Sequence, residues 1–251
     1  MQIKAKGLVI KQKNIGNTDV AFTILTVEYG VIEATVHNAK TAKNKIANTT
    51  QILSYNEFCF FKGKSNYIIN SSDPIEAFYS LRLDVSKLAL AGYFCELIHM
   101  MCKENDDNSA IYMKLILNTL FFLQKNEKNP ELLKSIFELR SMEICGFMPN
   151  LVACKNCGEY ENSAMYFLPI QGEIVCKKCF EQLNNEKIIK FTLPQTVLTA
   201  MRHIIFSEIE KLFSFNLNGD SLKQLNFITE NYIFLHLDAK FNSLEMYKML
   251  K

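Results

Sequence analysis

The sequence is poor in residues that interrupt regular structure, and it lacks the marks of several protein classes. Its 251 residues include only 9 Gly, 5 Pro and no Trp, and 49% of them are hydrophobic. This composition is typical of a globular chain without an extended disordered segment. No window approaches 18 uninterrupted apolar residues; the apolar stretch 115–123 is short and contains Asn118 and Thr119. A membrane span is therefore not expected.

A strong overall charge is also absent, since 28 Lys and Arg against 26 Asp and Glu leave a net charge of +2. The lysines are nevertheless unevenly placed. Residues 1–73 hold nine Lys against five acidic residues, and no acidic residue lies between 34 and 56. This distribution predicts a local basic surface. The chain starts Met-Gln-Ile-Lys-Ala-Lys, without an apolar export segment, so a cytoplasmic protein is expected.

Motifs of the common enzyme classes are missing from the sequence. It contains no HExxH, GxSxG, Walker loop or GxGxxG, and its four histidines share no motif with one another or with the cysteines. An enzyme would lack a recognisable nucleophile, base and phosphate-binding loop. We therefore expect a protein that is not an enzyme. A catalytic site assembled from distant residues is the alternative.

Four of the eight cysteines form two CxxC pairs. Eighteen residues separate the pair Cys154 and Cys157 from the pair Cys176 and Cys179, which is a spacing typical of tetrahedral zinc sites. Two disulfides or a redox CxxC are the alternatives, although a redox motif needs one pair and usually accompanies a βαβ pattern that is absent here. We predict one structural Zn²⁺ per chain, because four thiolates leave no ligand position for an activated water. The other cysteines lie in apolar stretches and are expected to be core residues: Cys59, Cys95, Cys102 and Cys145.

Residues 1–72 alternate between apolar and polar side chains, as strands do. Turn-forming residues divide this region into five short segments within about 70 residues, a pattern that suggests a closed barrel of the OB type. We therefore predict an N-terminal OB-fold β-barrel at 1–72. An open sheet is the alternative.

The composition changes at Asp73, where Asp73, Pro74 and Glu76 have the spacing of a helix N-terminus. The remaining residues, 73–251, are predicted to form an α-helical domain with a four-cysteine zinc finger inserted at 150–181. The predicted fold class is therefore α+β, with two domains. Predicted helices lie at 74–82, 86–103, 109–125, 130–145, 194–213 and 221–237.

Lysines and aromatic residues are interleaved along the predicted barrel. A small barrel that binds single-stranded nucleic acid uses this mixture, because ammonium groups neutralise phosphates and aromatic faces stack on bases. The predicted contacts are Lys11, Lys13, Lys40, Lys43, Lys45, Lys62 and Lys64. The alternative is an ordinary surface: Phe58 and Phe60 share one strand face and Phe61 the other, so one set must fill the barrel.

Several short motifs outside the CxxC pairs are shared with one protein family. Phe-Glu-Leu-Arg at 137–140 is followed by Gly-Phe-Met-Pro at 146–149, directly before the first pair. Further shared residues near the N-terminus are Gly7, Val9, Ile15, Gly16, Asp19, Thr26, Glu28 and Gly30. Together with the basic barrel, the helical body and the four cysteines, these residues resemble the RecO family of bacterial recombination mediators, and the resemblance extends from residue 7 to about residue 250.

The resemblance implies binding to single- and double-stranded DNA and annealing of complementary strands. It also implies help in loading RecA onto DNA that is covered by single-stranded-DNA-binding protein. The implied partners are RecR, the acidic C-terminal tail of the single-stranded-DNA-binding protein and, in some pathways, RecF. The resemblance also implies that the protein is cytoplasmic and associates with the nucleoid when it is active.

The chain departs from the family's pattern at two basic segments. Lysines follow His37-Asn38-Ala39 where the family commonly has a Gly and an Arg-rich run, and the basic residues before Phe-Glu-Leu are reduced to Lys134. Lys134 and Arg140 are the residues that we expect to contact a protein partner. The smaller number of basic residues in the loop after Ala39 motivates an alternative function. In this alternative the protein is a protein-only adaptor that bridges RecR and the single-stranded-DNA-binding protein and has little DNA affinity of its own.

Overall fold

The computed structural model describes residues 1–39, 46, 49–63, 66–162, 164–183 and 188–251. The chain forms two compact units, the first made of Met1–Lys125 with Phe241–Lys251 and the second of Asn126–Lys240. The strands are β1 (Gln2–Ile15), β2 (Asp19–Thr26), β3 (Gly30–Val36), β4 (Tyr55–Lys62), β5 (Tyr67–Glu76), β6 (Met165–Leu168), β7 (Glu173–Cys176) and β8 (Phe191–Leu193). The α-helices are α1 (Val85–Met101), α2 (Ser109–Lys125), α3 (Pro130–Ile144), α4 (Lys177–Glu181), α5 (Gln195–Phe206), α6 (Gly219–His236) and α7 (Asn242–Met249).

The first unit contains a closed five-stranded barrel with the strand order β1-β2-β3-β5-β4. Neighbouring strands are antiparallel except β3 and β5, which pair in parallel at Ala34 with Tyr67 and at Thr35 with Ile68. Strand β1 closes the barrel because its first half pairs with β4 and its second half with β2. A five-stranded barrel of this kind is an OB fold, and the predicted fold class is confirmed.

Apolar side chains from all five strands fill the barrel, since successive residues of a strand point to opposite faces. Phe58 and Phe60 are fully buried, and their rings stack with centroids 5.3 Å apart. Phe61 points outward and is 46% exposed. The prediction that one aromatic set fills the barrel is confirmed, and most of the aromatic surface of β4 is therefore inaccessible to a ligand.

Gly30 allows the barrel to contact the connection between α1 and α2. Its φ is +66°, and a Cβ at this position would lie 2.0 Å from the carbonyl oxygen of Lys103. Around this contact the Val31 N–H donates to the Lys103 carbonyl at 3.1 Å, and the Asn105 N–H donates to the Tyr29 carbonyl at 2.8 Å. Any side chain at residue 30 would separate the β2–β3 turn from the helices.

The last barrel strand extends beyond the predicted boundary at residue 72. Strand β5 continues to Glu76, with Asp73 opposite Glu57 and Pro74 opposite Asn56. Pro74 is tolerated because the register of the two strands shifts beside this pair, and proline is compatible with a strand at such irregularities. The predicted helix at 74–82 is therefore wrong, since strand pairing overrides the local helix-start pattern.

Helical structure begins instead with a 3-10 turn at Tyr79–Leu83. Asp84 then caps α1, because its carboxylate accepts the N–H groups of Ser86 and Lys87 at 3.0 and 3.1 Å. A side-chain acceptor at this position satisfies donors that have no partner within the helix. An aspartate therefore caps the helix as expected, but it is Asp84, eleven residues after Asp73.

A short helix near the C-terminus, α7, completes the first unit and was not predicted from the sequence pattern. The Ser243 hydroxyl donates to the Glu96 carboxylate of α1 at 2.9 Å. Phe241 meets the ring of Tyr93 edge-on, with centroids 5.3 Å apart. These contacts join α7 to α1. Ser243 and Glu96 lie 147 residues apart in the chain, so local periodicity does not indicate their contact.

The second unit combines α3, α5 and α6 with a small sheet of order β7-β6-β8. Helix α3 lies at its centre, since most of its residues from Leu132 to Met142 are buried. Strand β8 joins the sheet by pairing with β6 from beyond the predicted zinc finger at 150–181. The division into an OB-fold domain at 1–72 and an α-helical domain at 73–251 stays a prediction; the two compact units have other bounds. Within the described ranges, none of the helices is long and apolar enough to cross a membrane.

Candidate metal centre and nucleic-acid surface

The two CxxC pairs converge on one point of the second unit. The sulfur atoms of Cys154, Cys157, Cys176 and Cys179 all lie within 4.8 Å of one another. A tetrahedral thiolate site with metal–sulfur distances of about 2.3 Å has edges of about 3.8 Å, and the sulfurs of Cys157 and Cys176 are 3.8 Å apart. All four thiols are free of disulfides. This donor set fits a metal ion, and the predicted grouping of the four cysteines is present.

The first CxxC pair lies on a tight turn that backbone hydrogen bonds hold on both sides. The Gly158 N–H donates to the Cys154 carbonyl at 2.9 Å, and the Cys154 N–H donates to the Glu159 carbonyl at 2.8 Å. Gly158 has a φ of +75°, a conformation that favours glycine over residues with a Cβ. The turn therefore directs Cys154 and Cys157 towards the same point.

The second CxxC pair lies where β7 passes into α4. Cys176 is the last residue of the strand and the N-cap of the helix, so Cys179 follows one turn later. The Cys176 N–H donates to the Cys154 sulfur at 3.3 Å, which links the two pairs directly. The Lys155 N–H also donates to the Ile174 carbonyl at 2.9 Å, so the first turn is fixed against β7.

The four thiols differ in how readily they lose a proton. Burial opposes ionisation of Cys154, but the N–H groups of Cys176, Cys157 and Asn156 together lower its pKa to about 6. Burial raises the pKa of Cys176, and hydrogen bonds with the Cys176 and Cys157 sulfurs raise the pKa of Cys179. Several thiolates this close repel one another. A bound cation would offset that repulsion and favour deprotonation of all four.

Arg202 of α5 supports the first CxxC turn, although the sequence analysis does not identify it. Its Nε donates to the Leu151 carbonyl at 2.8 Å, and one Nη donates to the carbonyls of Val152 and Tyr160 at 2.9 and 2.7 Å. The guanidinium also lies 3.9 Å from the centre of the Tyr160 ring. The sequence did contain a feature that could have identified Arg202, because it is the single arginine or lysine in the largely apolar sequence of α5.

The second half of β1 presents two of the predicted nucleic-acid contacts. Lys11 lies opposite Thr23 of β2 and Lys13 opposite Ala21, and both lysines are exposed. The pairing of β1 with β4 ends at Leu8, so this half of the strand pairs with β2. In the part of the chain that the structure describes, no acidic side chain forms an ion pair with either lysine. Their charge is therefore available to a ligand.

Lys62 occupies the end of β4, where aromatic rings surround its ammonium group. Its Nζ lies 5.1 Å from the ring centre of Tyr67 and 5.9 Å from that of Tyr29. The Tyr67 side chain is the main cause of the raised pKa of Lys62, so the lysine is charged at neutral pH. Tyr67 itself is buried and donates to Glu104 at 2.9 Å. Phe61, the preceding residue of β4, offers an exposed aromatic face.

The other predicted lysines, Lys40, Lys43, Lys45 and Lys64, lie outside the described residues. His37 and Asn38, which precede Lys40, contact Asp19 of β2. One carboxylate oxygen of Asp19 accepts the Asn38 N–H at 2.9 Å, and its other carboxylate oxygen lies 2.7 Å from His37 Nδ1. Asp19 pairs with Ile15 at the end of the β1–β2 hairpin. Asn38, two residues before Lys40, therefore lies beside the hairpin that carries Lys13.

Lys134, predicted to contact a protein partner, is an interior residue in the structure. Its side chain is 2% exposed, and its Nζ lies 2.9 Å from a carboxylate oxygen of Glu138 and 2.9 Å from one of Glu230. Helix α3 is buried on nearly all sides, so a charge at this position has to be paired inside the protein. The partner-binding role of Lys134 stays a prediction, which this buried and paired geometry does not favour.

Arg140 is likewise engaged within the second unit. One Nη donates to the Ile205 carbonyl at 2.6 Å and to the Ile204 carbonyl at 3.3 Å. These carbonyls lie in the last turn of α5, where helical carbonyls lack partners within the helix. The Nε lies 3.5 Å from the Glu143 carboxylate. Arg140 therefore caps α5, and this geometry does not support the predicted contact with another protein.

Family models match both parts of the chain. The model for Recombination protein O N terminal matches residues 1–78, and the model for Recombination protein O C terminal matches residues 82–245. The N-terminal match includes the whole barrel, and the C-terminal match includes the four cysteines. Both regions with candidate sites therefore lie within the matched segments.

Curated proteins similar to this chain carry the name DNA repair protein RecO. The protein of Acetivibrio thermocellus is 32% identical over 248 residues, covering 99% of this chain and 97% of the relative. That of Alkaliphilus metalliredigens is 32% identical over 253 residues, covering 100% of both chains. A third, from Symbiobacterium thermophilum, is 28% identical over 248 residues, with 98% and 96% covered. The similarity thus extends over nearly the full length of each relative.

Proposed function

Because the chain belongs to the RecO family of DNA repair proteins, we propose that it is a recombination mediator that binds DNA and anneals complementary strands. In this proposal it acts with RecR, and with RecF in some pathways. It helps to load RecA onto DNA that is coated by single-stranded-DNA-binding protein. The observation that carries the DNA-binding part is the OB-fold barrel with Lys11 and Lys13 exposed and unpaired by acidic groups among the described residues.

The proposed mechanism neither forms nor breaks a covalent bond. Lysines of the barrel neutralise backbone phosphates and release counterions, so the repulsion between two strands held on the protein is reduced. The exposed face of Phe61 is available for a base to stack on. Complementary strands can then pair at a lower electrostatic cost than in free solution. Lys11 and Lys13 supply two of the proposed phosphate contacts.

We also propose that Cys154, Cys157, Cys176 and Cys179 bind one Zn²⁺ with a structural role. Four sulfur donors within 4.8 Å of one another support zinc, which prefers closed thiolate sites of this kind when its role is structural. When bound, the ion offsets the charge of the thiolates. The protein's own contribution is to hold the first CxxC turn against β7 through the Lys155 N–H and the Ile174 carbonyl.

Fluorescence anisotropy with a labelled single-stranded oligonucleotide, from about 50 to 200 mM salt, tests the DNA-binding proposal. With about 4–6 phosphate contacts, the logarithm of the affinity is expected to fall with the logarithm of the salt concentration at a slope of about −3 to −5. Faster annealing of two complementary oligonucleotides is expected under the same conditions. Metal content measured on the same preparation tests the zinc site independently.

Repeating the titration with and without RecR separates the mediator from the protein-only adaptor. A mediator binds the oligonucleotide on its own, whereas an adaptor binds RecR and the single-stranded-DNA-binding protein while leaving naked DNA free at about 50 mM salt. Absence of DNA binding by the zinc-loaded protein at this salt concentration would contradict the mediator proposal.

A further inference from the structure

Arg202 contacts the chain on both sides of the first CxxC pair. Leu151 and Val152 precede Cys154, whereas Tyr160 follows Cys157, and all three carbonyls accept hydrogen bonds from the one guanidinium group at 2.7 to 2.9 Å. The side chain therefore closes the base of the loop that carries two of the four sulfurs. The residue is 8% exposed, so water competes little for these hydrogen bonds.

A second interaction fixes the same loop to the same helix. The Glu161 carboxylate lies 3.6 Å from an Nη of Arg202, and its other oxygen accepts a hydrogen bond from Gln195 Nε2 at 3.0 Å. Gln195 is the first residue of α5, so both ends of the contact come from one rigid element. The planar guanidinium suits several simultaneous acceptors, which a lysine ammonium cannot reproduce in the same geometry.

We propose that Arg202 is a positioning residue for the metal centre, holding the first CxxC turn in the conformation that binds the metal. This inference rests on the proposed zinc site. Without the hydrogen bonds from Arg202, the loop must lose conformational freedom when it binds the ion. That entropy cost reduces the affinity for the metal. Groups that support metal ligands from outside the coordination sphere typically contribute a factor of about 10–100 in affinity. Arg202 acts through the backbone and does not touch the metal.

The effect of Arg202 on metal binding and the effect of the metal on the contacts of Arg202 must be reciprocal. If Arg202 increases metal affinity, the metal increases the stability that Arg202 contributes, since the two interactions act on the same loop. A residue that stabilises only the fold of the second unit has a different signature. Its loss lowers the stability of the metal-loaded and metal-free protein by equal amounts.

The test compares Arg202→Lys and Arg202→Met with the matched control Arg140→Lys in the full-length protein. Arg140 is also poorly exposed, lies in the same unit and donates to two carbonyls of α5, but it does not contact the CxxC loop. Zinc affinity and the rate of zinc loss are measured by competition with a chromogenic chelator under reducing conditions. Thermal unfolding is recorded with and without zinc.

Arg202→Lys is expected to weaken zinc binding about 10–100-fold and to reduce the rise in Tm that zinc causes. Arg202→Met is expected to have a larger effect in the same direction, and Arg140→Lys is expected to keep the wild-type zinc affinity. Unchanged zinc affinity in Arg202→Lys would overturn the inference, as would an equal loss in Arg140→Lys. If the wild-type protein binds no zinc, the proposed metal site itself fails, and that result appears before any variant is compared.

Discussion

Lys134 and Glu138 form an ion pair inside the second unit, one helical turn apart on α3, with Nζ and Oε1 separated by 2.9 Å. Glu230 of α6 lies 2.9 Å from the same ammonium group, and the Thr229 hydroxyl donates to the other oxygen of Glu138 at 2.6 Å. Burial lowers the pKa of Lys134, but the two carboxylates outweigh it and the pKa is raised. Lys134 therefore remains charged, and its contacts with Glu138 and Glu230 join α3 to α6.

Replacing Lys134 by Met should destabilise the protein strongly, because two carboxylates lose their cation and Glu138 has no access to water. Removing one partner of a buried ion pair typically costs about 3–5 kcal/mol. Equilibrium urea unfolding measures the change. Lys223→Met is the control, since its ion pair with Asp220 is exposed and is expected to contribute about 1 kcal/mol or less. Similar small effects for both variants would contradict the assigned role of Lys134.

Cys176→Ser should remove the proposed metal, since Cys176 is one of the four proposed ligands and also donates its N–H to the Cys154 sulfur. The zinc content is expected to fall from one ion per chain to a small fraction, and Tm should no longer respond to a chelator. Cys59→Ser provides the control because Cys59 lies on a barrel strand in the first unit. Full zinc content in Cys176→Ser, or loss of zinc in Cys59→Ser, would rule out the four-cysteine site.

Asp19 should titrate below the ordinary range of an aspartate. The Asn38 N–H is the larger cause of its lowered pKa among the hydrogen bonds, and His37 adds to it. A group whose pKa is lowered by folding stabilises the protein above its unfolded pKa, about 3.9, and this contribution is lost as the pH falls through the folded value. NMR titration of the carboxyl carbon should show a midpoint below about 3.9.

The Asn38 amide signal should shift over the same pH range, because its hydrogen bond depends on the ionised Asp19. His37→Asn should move the Asp19 midpoint part of the way back, since the Asn38 contact remains. An Asp19 midpoint at or above the ordinary value would show that the carboxylate does not hold the end of β3 against the hairpin.

Replacing Lys40, Lys43 and Lys45 together by Glu should abolish most DNA binding while zinc content and folding remain intact. The expected reason is electrostatic, since each phosphate contact contributes about one unit to the salt slope. The matched variant with three Gln is expected to lose less affinity, because it removes charge without adding repulsion. Unchanged affinity at low salt in the Glu variant would count against this segment as a DNA contact.

The barrel could be predicted because β3, most of β4 and the first half of β1 alternate between buried and more exposed residues, and this pattern is local. The end of β5 could not, because pairing of Asp73 with Glu57 and Pro74 with Asn56 overrides a helix-start signal that is also local. The convergence of the cysteines follows from spacing alone, since few structures other than a metal site need two CxxC turns.

The roles of Lys134 and Arg202 depend on contacts between distant segments. Lys134 was expected to contact a protein partner because the family has basic residues before Phe-Glu-Leu, yet most of α3 is buried and Glu230 lies 96 residues later. Arg202 pairs with carbonyls about 50 residues earlier. For Arg202 the sequence offers a weak signal, a single arginine in a largely apolar helix. The helix of Lys134 carries five charged residues, so its sequence does not mark Lys134 as the buried one.

The most direct test of the central claim, that the barrel binds DNA through its lysines, is the oligonucleotide affinity of Lys11→Glu/Lys13→Glu. Lys211→Glu/Lys223→Glu is the matched control, since it reverses two exposed lysines of the second unit. Anisotropy at several salt concentrations should show weaker binding for the barrel variant and a salt slope reduced by about two, with both quantities unchanged in the control. Wild-type affinity and slope in Lys11→Glu/Lys13→Glu would contradict the account.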